Sequence, residues 1–439
     1  HDSAACLIKD GEIVSAIQEE RISRIKHDSS FPKKAIIEIL KQEKITLQEI
    51  EKIIFYEKPF LKFERLIETY MAFAPKGITS FLKAIPIWIK EKIFQKYKIF
   101  DELKSLDNKF NDINKIFFSE HHLSHAASAF YPSGFSDASI LTVDAVGEWA
   151  TSSISLGSKN NIDIKEEINY PHSIGLLYSA FTYFCGFEVN GGEYKLMGLA
   201  PYGKPKFKDK ILDNLINLKD DGSFILNMRY FDYCTGLTMT SEKFNDLFDS
   251  KPRAKNEEIT QFHMDLASSI QIVTEEILLK ICRYIKKKYD SKNLCLAGGV
   301  ALNCVAVGKI IKENIFENIW VQPASGDAGG SLGAALAYWH LELKKERKIN
   351  KNLQDGMKGS LLGYKDSSDL IRKELIENNI NFTEMSFDEI VEFSAKYLSK
   401  GNAIGWYQNK MEFGPRALGS RSILADPRNP EMQKKLNLS

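Results

Sequence analysis

The feature that most constrains this chain is a histidine-rich run followed by a strand that ends in an aspartate. Within residues 119–130, His121 and His125 stand four positions apart, so on a helix both imidazoles project from one face. The apolar segment 137–143 then leads to Asp144, and a carboxylate at a strand end commonly serves function. The pattern predicts a helix and a strand that bring two imidazoles and a carboxylate to one divalent metal.

The choice of metal follows from the ligand types. Imidazole and carboxylate without a nearby thiolate favour Fe(II), Mn(II) or Zn(II) over a structural thiolate site. A glycine-rich segment at 325–330 contains Asp327, which could close the coordination sphere. A histidine pair on a helix is also common as a plain polar face, and that alternative stays open for His121 and His125 taken alone. With Asp144 and Asp327 included, an enzyme is the leading interpretation.

Composition excludes several classes of protein. The chain has 439 residues, enough for two or more domains. Its 59 basic and 58 acidic residues give a net charge of +1, so nothing global indicates binding to nucleic acid or to a membrane surface. The six cysteines form no CxxC pair and no secretory signal is present, which predicts a cytoplasmic protein. The sequence begins at His1 rather than Met and ends at Ser439 inside a helical pattern, so we expect functional residues to be missing at either end.

Local patterns predict an α/β protein with a duplicated unit. Segment 3–17 is typical of a hairpin with an Asp-Gly turn, and segment 137–156 repeats that plan. Apolar spacings of three and four predict a long helix over 260–289. It leads into a short strand at 293–297, after which Gly298 and Gly299 would allow backbone amides to approach a phosphate or nucleoside.

Two segments differ from this pattern. Residues 60–118 are rich in Phe, Ile and Lys, and lysines interrupt the apolar run at 81–100 well short of the roughly 18 residues that a membrane span needs. We expect an amphipathic helical insertion over the substrate cleft, with contact to a partner or membrane surface as the lesser alternative. Residues 346–360 are charged and polar and are predicted to be a linker between a domain at 1–345 and a smaller α/β domain at 361–439.

Together these motifs carry a family resemblance. The sequence resembles the O-carbamoyltransferases of antibiotic and nodulation-factor biosynthesis over nearly its whole length. The resemblance implies a duplicated actin/sugar-kinase-like (ASKHA) domain, similar to tRNA threonylcarbamoyltransferases, followed by a C-terminally truncated YrdC-like α/β domain. It also implies that carbamoyl phosphate and ATP give carbamoyl-AMP and pyrophosphate, after which the carbamoyl group passes to a hydroxyl. The segments that carry the resemblance are 1–4, 19–27, 121–125, 195–203, 298–303 and 414–421.

The resemblance also implies roles for individual residues. Four match the family's metal ligands: His121, His125, Asp144 and Asp327. Lys26 resembles a phosphate-side lysine that balances developing negative charge, with a solvated basic residue as the plain alternative. His1 could act as general base on the acceptor hydroxyl.

A guanidinium in the second domain is expected to bind carbamoyl phosphate. Arg416 resembles that ligand, with a structural arginine after a Gly-Pro turn as the alternative. Further basic residues of the family lie beyond Ser439, so we expect the carbamoyl-phosphate site to be incomplete in this chain.

Nucleotide and acceptor contacts are predicted from loop residues, with helix packing and an ordered loop as their alternatives. The nucleotide candidates are Gly298, Gly299, Asn303, Gly329 and Gly330, and the acceptor candidates are Glu193 and Lys195.

The leading function is therefore metal-dependent O-carbamoyl transfer to a small-molecule hydroxyl, with a sugar as one candidate acceptor and with ATP and carbamoyl phosphate as substrates. A tRNA-modifying carbamoyl transferase is the runner-up, which the near-neutral charge and the fused segment 414–421 disfavour. A non-catalytic actin-like ATP-binding module is the third alternative, which needs no histidine-rich metal site. The sequence leaves the acceptor, the native metal and a possible homo-oligomer open.

Overall fold

The structure is a computed structural model that describes residues 2–89, 93–349 and 355–438. The chain forms two compact units, His1–Gly356 and Met357–Ser439. The boundary between them falls inside the predicted linker 346–360, of which residues 350–354 lie outside the described ranges. Each unit has a mixed α/β composition, in agreement with the predicted fold class at that level.

The first unit contains both strands and helices. Its strands are β1 (Ala4–Lys9), β2 (Glu12–Gln18), β3 (Ile53–Phe55), β4 (Ile116–Phe118), β5 (Asp137–Val143), β6 (Ala150–Ser158), β7 (Asn161–Asn169), β8 (Ile216–Leu218), β9 (Phe224–Leu226), β10 (Asn293–Ala297) and β11 (Asn318–Val321). Its α-helices are α1 (Glu20–Ser23), α2 (Lys33–Glu43), α3 (Pro59–Phe73), α4 (Ile78–Trp88), α5 (Gln95–Leu106), α6 (His121–Phe130), α7 (Ile174–Phe184), α8 (Glu193–Leu199), α9 (Lys208–Asn214), α10 (Glu242–Phe248), α11 (Gln261–Tyr289), α12 (Cys304–Lys312) and α13 (Asp327–Ala337).

A five-stranded sheet in the order β11-β10-β5-β6-β7 forms the centre of the first unit. Strand β5 pairs in parallel with β10, and β10 pairs in parallel with β11. Strands β6 and β7 continue the sheet antiparallel beyond β5. Both β5 and β10 are almost fully buried, as expected for strands covered on both faces. The parallel pairing brings the ends of β5 and β10, and the loops after them, to the same edge.

The N-terminal hairpin and the long helix occur where the sequence predicts them. Strands β1 and β2 are antiparallel, and their turn residues Asp10 and Gly11 have φ of 53° and 83°, the left-handed conformation that favours such residues. Helix α11 places apolar residues such as Ile270 and Ile277 in the core, fully shielded from solvent. Burial of that stripe explains why the 3.6-residue periodicity persists over 29 residues.

Two predictions about the first unit have different outcomes. The insertion predicted at 60–118 contains α3, α4 and α5, but its last three residues form β4, which pairs in parallel with β3. The boundary at 118 was wrong because the short apolar run 116–118 is a strand and not part of the helices. The duplicated unit stays a prediction, because in the described ranges β1–β2 and β3–β4 are separate pairs and the five-stranded sheet is seen once.

Helix α13 packs against both α6 and β1. The contact with α6 is a backbone-to-backbone approach: a Cβ built on Gly333 would lie 1.8 Å from the carbonyl oxygen of Ser124. Any side chain at Gly333 would therefore push the two helices apart. Glycine at this crossing holds the first turn of α13 beside the first turns of α6.

The second unit is smaller. Strands β12 (Ala403–Tyr407) and β13 (Arg421–Ala425) form an antiparallel pair. Its helices are α14 (Ser368–Glu377), α15 (Phe387–Leu398) and α16 (Met432–Leu438). A YrdC-like topology for this unit stays a prediction. Across both units, none of the helices in the described ranges is long and apolar enough to cross a membrane.

Candidate metal centre

Four side chains from three parts of the first unit converge at one point. The Nε2 atoms of His121 and His125 are 3.1 Å apart, and Nε2 of His121 is 3.1 Å from Oδ2 of Asp144. Oδ1 of Asp327 lies 3.6 Å from Nε2 of His121 and 3.7 Å from Nε2 of His125. One atom from each of the four residues lies within 4.8 Å of all the others. The structure thus brings together the four residues that the sequence predicts as metal ligands.

The position of each ligand follows from the helix or strand that carries it. His121 and His125 are one turn apart at the start of α6, so both rings project from one face; they meet edge to face with 4.7 Å between their centroids. Asp144 is the first residue after β5, and Asp327 is the first residue of α13. A carboxylate in the first turn is favoured there by the helix dipole.

The turn after β10 supports Asp144. The peptide N–H of Gly299 donates to Oδ1 of Asp144 at 3.0 Å, which leaves Oδ2 facing His121. Gly298 has φ of 87°, and a Cβ there would lie 2.2 Å from the carbonyl oxygen of Val143. Only glycine fits that backbone position. The predicted Gly-Gly turn therefore orients a metal ligand, while its contact with a nucleotide stays a prediction.

Glu148 positions α6, and sequence reasoning did not single it out. Both of its carboxylate oxygens accept from the peptide N–H of His121 at 3.0 Å, and Oε1 also accepts from the peptide N–H of Lys58 at 2.7 Å. The group is buried, and it satisfies donors at a helix N-terminus that would otherwise be unpaired. The available signal was a second carboxylate in the turn that begins with Asp144.

The charges of the site are strongly coupled. Burial alone would lower the pKa of His121, but its hydrogen bond with Asp144 and the charge of Asp327 outweigh burial and raise that pKa to about 9. Burial would raise the pKa of Asp144, yet its contacts with His121 and His125 hold that pKa well below the usual range. The site therefore keeps Asp144 ionised, which suits a bound cation.

His122 belongs to the same run but does not join the four ligands. Its Nδ1 atom lies 2.9 Å from Oγ of Ser153. Burial, followed by the charges of His121 and His125, lowers the pKa of His122 to about 3. His122 is therefore a neutral imidazole that packs α6 against β6.

The ligand set fits a divalent ion. Donor atoms about 2.0–2.2 Å from one ion lie about 3–4 Å from one another, and the four distances from His121 and His125 to the carboxylates run from 3.1 to 3.8 Å. Nδ1 of His121 and Nδ1 of His125 are buried without a hydrogen-bond partner among the described residues. The ring orientation is thus set from the Nε2 side, where both carboxylates lie.

Lys26 and the predicted acceptor loop are neighbours. Lys26 Nζ donates to Oη of Tyr194 at 3.0 Å, and this hydrogen bond lowers the pKa of Tyr194. Tyr194 stands between Glu193 and Lys195 at the start of α8.

Glu193 is engaged within its own loop. Its carboxylate accepts from Oγ of Ser179 at 2.7 Å and from the peptide N–H of Asn190 at 3.0 Å. These bonds agree with the ordered-loop alternative for Glu193, and acceptor contact by Glu193 and Lys195 stays a prediction.

Three nucleotide candidates have structural contacts. Asn303 and Gln271 exchange two amide hydrogen bonds of 2.9 and 3.1 Å, and Oδ1 of Asn303 caps α12. Cβ atoms built on Gly329 and Gly330 would lie 2.0 Å from the Ala324 carbonyl oxygen and 2.7 Å from the Tyr56 ring. Tight packing accounts for these residues, and nucleotide contact stays a prediction.

Arg416 lies in the second unit, in the loop between β12 and β13. Buried Glu412 orders that loop by accepting from the peptide N–H groups of Leu418 and Ser420 at 2.9 and 2.7 Å and from Nε of Arg421 at 3.1 Å. Carbamoyl-phosphate binding by Arg416 stays a prediction. His1, predicted as general base, lies outside the described residues.

Comparison with known families identifies the class of protein. Residues 1–336 match the family described as Carbamoyltransferase N-terminus, and residues 395–439 match Carbamoyltransferase C-terminus. The chain belongs to the carbamoyltransferase family, which makes it a transferase. The resemblance inferred from the sequence motifs is confirmed.

Individual relatives agree with this family. A protein of Synechocystis sp. is 52% identical over 441 residues, covering 100% of this chain and 71% of the relative. Nodulation protein NolNO of Sinorhizobium fredii is 35% identical over 442 residues, covering 100% of this chain and 60% of the relative. Component A of (R)-2-hydroxyglutaryl-CoA dehydratase from Acidaminococcus fermentans is 14% identical and covers 76% of this chain and 92% of its own, with a TM-score of 0.35, too weak a likeness to support an argument.

Proposed function

We propose that this protein is an O-carbamoyltransferase that uses carbamoyl phosphate and ATP. In the first half-reaction carbamoyl phosphate, ATP and water give carbamoyl-AMP, pyrophosphate and phosphate. In the second, an acceptor hydroxyl attacks the carbamoyl carbon and AMP leaves. A carbamoyl group is a poor electrophile, so the mixed anhydride with AMP supplies the leaving group that transfer needs. The chain spans 60% of the length of NolNO.

The observation that carries the proposal is the convergence of His121, His125, Asp144 and Asp327 in a chain of the carbamoyltransferase family. These residues would hold a divalent ion, with Fe(II) as the first choice and Mn(II) or Zn(II) as alternatives. Once bound, such an ion supplies positive charge to a nucleotide phosphate and polarises the reacting carbonyl.

The protein's own groups complete the site. The Gly299 amide and the Glu148 carboxylate fix Asp144 and the start of α6. Exposed Lys26 offers a point charge for the phosphate that leaves with AMP. The five residues assigned to nucleotide binding are Gly298, Gly299, Asn303, Gly329 and Gly330.

The remaining roles are part of the same proposal. Arg416 would grip carbamoyl phosphate in the second unit, where a guanidinium matches two phosphate oxygens. Glu193 and Lys195 would line the site of a small-molecule acceptor. The near-neutral charge of the chain supports an enzyme that acts on neither nucleic acid nor membranes, and six cysteines without a CxxC pair support a cytoplasmic location.

The test is release of pyrophosphate from ATP by the whole protein. We expect release that depends on carbamoyl phosphate and, in an acceptor screen, a product heavier by one carbamoyl group in the mass spectrum. ATP binding without pyrophosphate release would instead indicate a nucleotide-binding module. Product on transfer RNA alone would indicate the tRNA-modifying alternative.

A further inference from the structure

The N-terminal segment and the loop after α1 meet in a carboxylate–imidazole pair that none of the roles above uses. Oδ1 of Asp2 lies 2.8 Å from Nδ1 of His27. Both residues have left-handed backbones, with φ of 57° and 55°, a conformation that costs energy in non-glycine residues and occurs often at functional sites. The peptide N–H of His27 also donates to Oε2 of Glu20 at 2.8 Å, which fixes the backbone that carries the ring.

The second ring nitrogen of His27 is the unexplained group. Its Nε2 atom is buried and has no hydrogen-bond partner within the part of the chain that the structure describes. A buried polar atom without a partner costs free energy and calls for a reason. The ring is not needed to join the N-terminal segment to the loop after α1, because backbone hydrogen bonds already do so. Ser3 N–H donates to Asp28 O at 3.0 Å, and Glu19 N–H donates to Ser3 O at 2.8 Å.

Nε2 of His27 faces the loop in front of α8. A Cβ built on Gly191 would lie 2.9 Å from Nε2, so only a glycine lets the backbone approach the ring so closely. Beside it, Lys26 donates to Tyr194. The adjacent residues Lys26 and His27 thus both face the loop that carries Glu193 and Lys195, the proposed acceptor residues.

The pair also lies at the same end of its layer as the metal ligands. Strand β1 packs on α13, and Gly11 after β1 contacts the Trp339 ring after α13. Measured from first to last Cα, a six-residue strand of about 17 Å and an 11-residue helix of about 15 Å are similar in length. The C-terminal ends of β1 and α13 are in contact, so their N-terminal ends lie together at the opposite end of the layer. Asp2, before β1, and Asp327, at the start of α13, are both at that end.

We infer that His27, and not His1 as the family resemblance suggests, is the general base for the acceptor hydroxyl, and that Asp2 is its positioning residue. This inference rests on the proposed function. Asp2 holds Nδ1–H, so that Nε2 has the free lone pair, the arrangement of a carboxylate-oriented base. The acceptor displaces Gly191 from Nε2. The acceptor O–H bond breaks and its proton passes to Nε2, the oxygen bonds to the carbamoyl carbon, the bond from that carbon to the AMP phosphate oxygen breaks, and AMP leaves.

The experiment uses the whole protein with water and hydroxylamine as probe acceptors. Hydroxylamine attacks carbamoyl-AMP without help from a base. A variant that reacts with hydroxylamine but not with water has therefore lost proton transfer, and not folding or substrate binding. We expect His27→Gln to keep carbamoyl phosphate-dependent ATP–pyrophosphate exchange within about twofold and to lower AMP release with water about 100-fold or more. Hydroxylamine should restore the AMP-release rate of His27→Gln to the wild-type rate, after subtraction of the reaction without carbamoyl phosphate. Ser29→Ala, in the same loop and exposed, is the control and should match wild type in both assays.

Other outcomes overturn the inference. Unchanged AMP release in His27→Gln removes the role of base, and loss of exchange together with AMP release, without hydroxylamine rescue, indicates a structural histidine. Wild-type protein without exchange would overturn the proposed function itself, and this inference with it.

Asp2 has an independent readout in its effect on the ring tautomer. With eight histidines in the chain, 15N labelling and the His27→Gln spectrum identify the His27 signals. We expect the Nδ1–H tautomer in wild type and its loss in Asp2→Asn, with slower AMP release to water. The same tautomer in both proteins would contradict the positioning role.

Discussion

At the scale of residues, the metal centre depends on groups that are not ligands. Both carboxylate oxygens of Glu148 accept from the peptide N–H of His121, and the peptide N–H of Gly299 donates to Oδ1 of Asp144. Supporting hydrogen bonds of this kind fix the orientation of metal ligands, and their loss usually weakens metal affinity. The affinity of the site is therefore set by the turns after β5 and β10 as well as by the four ligands.

Glu148→Gln is expected to weaken divalent metal binding about 10-fold to 100-fold, because the amide leaves the start of α6 with one acceptor oxygen in place of two. Calorimetric titration of metal-free protein with Mn(II) measures the affinity. Glu120→Gln is the matched control, since Glu120 is a half-buried neighbour that pairs with Lys58 at 2.7 Å, and the substitution should change the affinity little. Equal affinities for Glu148→Gln and wild type would remove the supporting role of Glu148.

Asp265 is predicted to contribute to stability in a pH-dependent way. Burial would raise the pKa of Asp265, but hydrogen bonds from Lys206, the Lys204 amide and Gln261 outweigh burial and lower that pKa to about 2. The ionised group therefore stabilises the fold above its unfolded pKa of about 3.9, and the contribution disappears as the pH falls towards 2.

Urea unfolding of Asp265→Asn tests this sign. The variant should be less stable than wild type from about pH 5 to 7, and the difference should shrink between about pH 4 and pH 2. Asp220→Asn is the control, because Asp220 is fully exposed and its contact with Lys280 is 3.5 Å. A difference that is constant with pH would contradict the assignment.

At the scale of elements, the crossing of α6 and α13 decides whether the ligands meet. The two helices approach at Gly333 so closely that the Ser124 carbonyl occupies the place of a side chain. His121 and His125 lie on one side of this crossing and Asp327 on the other. Separation of the helices by even one methyl group should therefore disturb both packing and metal geometry.

Gly333→Ala should lower the free energy of unfolding by about 3 kcal/mol and reduce metal occupancy, because the new methyl group collides with backbone. Gly308→Ala offers a matched control within α12, since a Cβ there meets nothing within 4 Å. That control should be neutral or more stable by up to about 1 kcal/mol. Similar unfolding free energies for the two variants would show that the crossing tolerates a side chain.

Local patterns explain which elements were predictable. The Asp-Gly hairpin, the long helix α11 and the strand that leads to Asp144 each follow from the order of residues within one segment. Short β4 was missed because three apolar residues are too few to show a periodicity, and its pairing with β3 depends on a partner 63 residues earlier in the chain.

At the scale of the whole molecule, the metal ligands were predictable because residue type and family resemblance select them. Their supporting contacts were not, because Glu148, Gly299 and the Asp2–His27 pair depend on how separate segments pack. The predicted roles of Asn303, Gly329 and Gly330 show the converse difficulty. A glycine or asparagine in a turn has the same sequence signal for ligand contact as for close packing, and here packing contacts are present.

The most direct test of the central claim compares wild-type protein with the double variant His121→Ala, His125→Ala. Metal content by mass spectrometry and transfer of labelled carbamoyl groups from carbamoyl phosphate are measured on the same samples, with His122→Gln as control. We predict about one divalent ion per chain and transfer in wild type and control, and loss of both in the double variant. Full transfer by a metal-free double variant would contradict the assignment of this site to carbamoyl transfer.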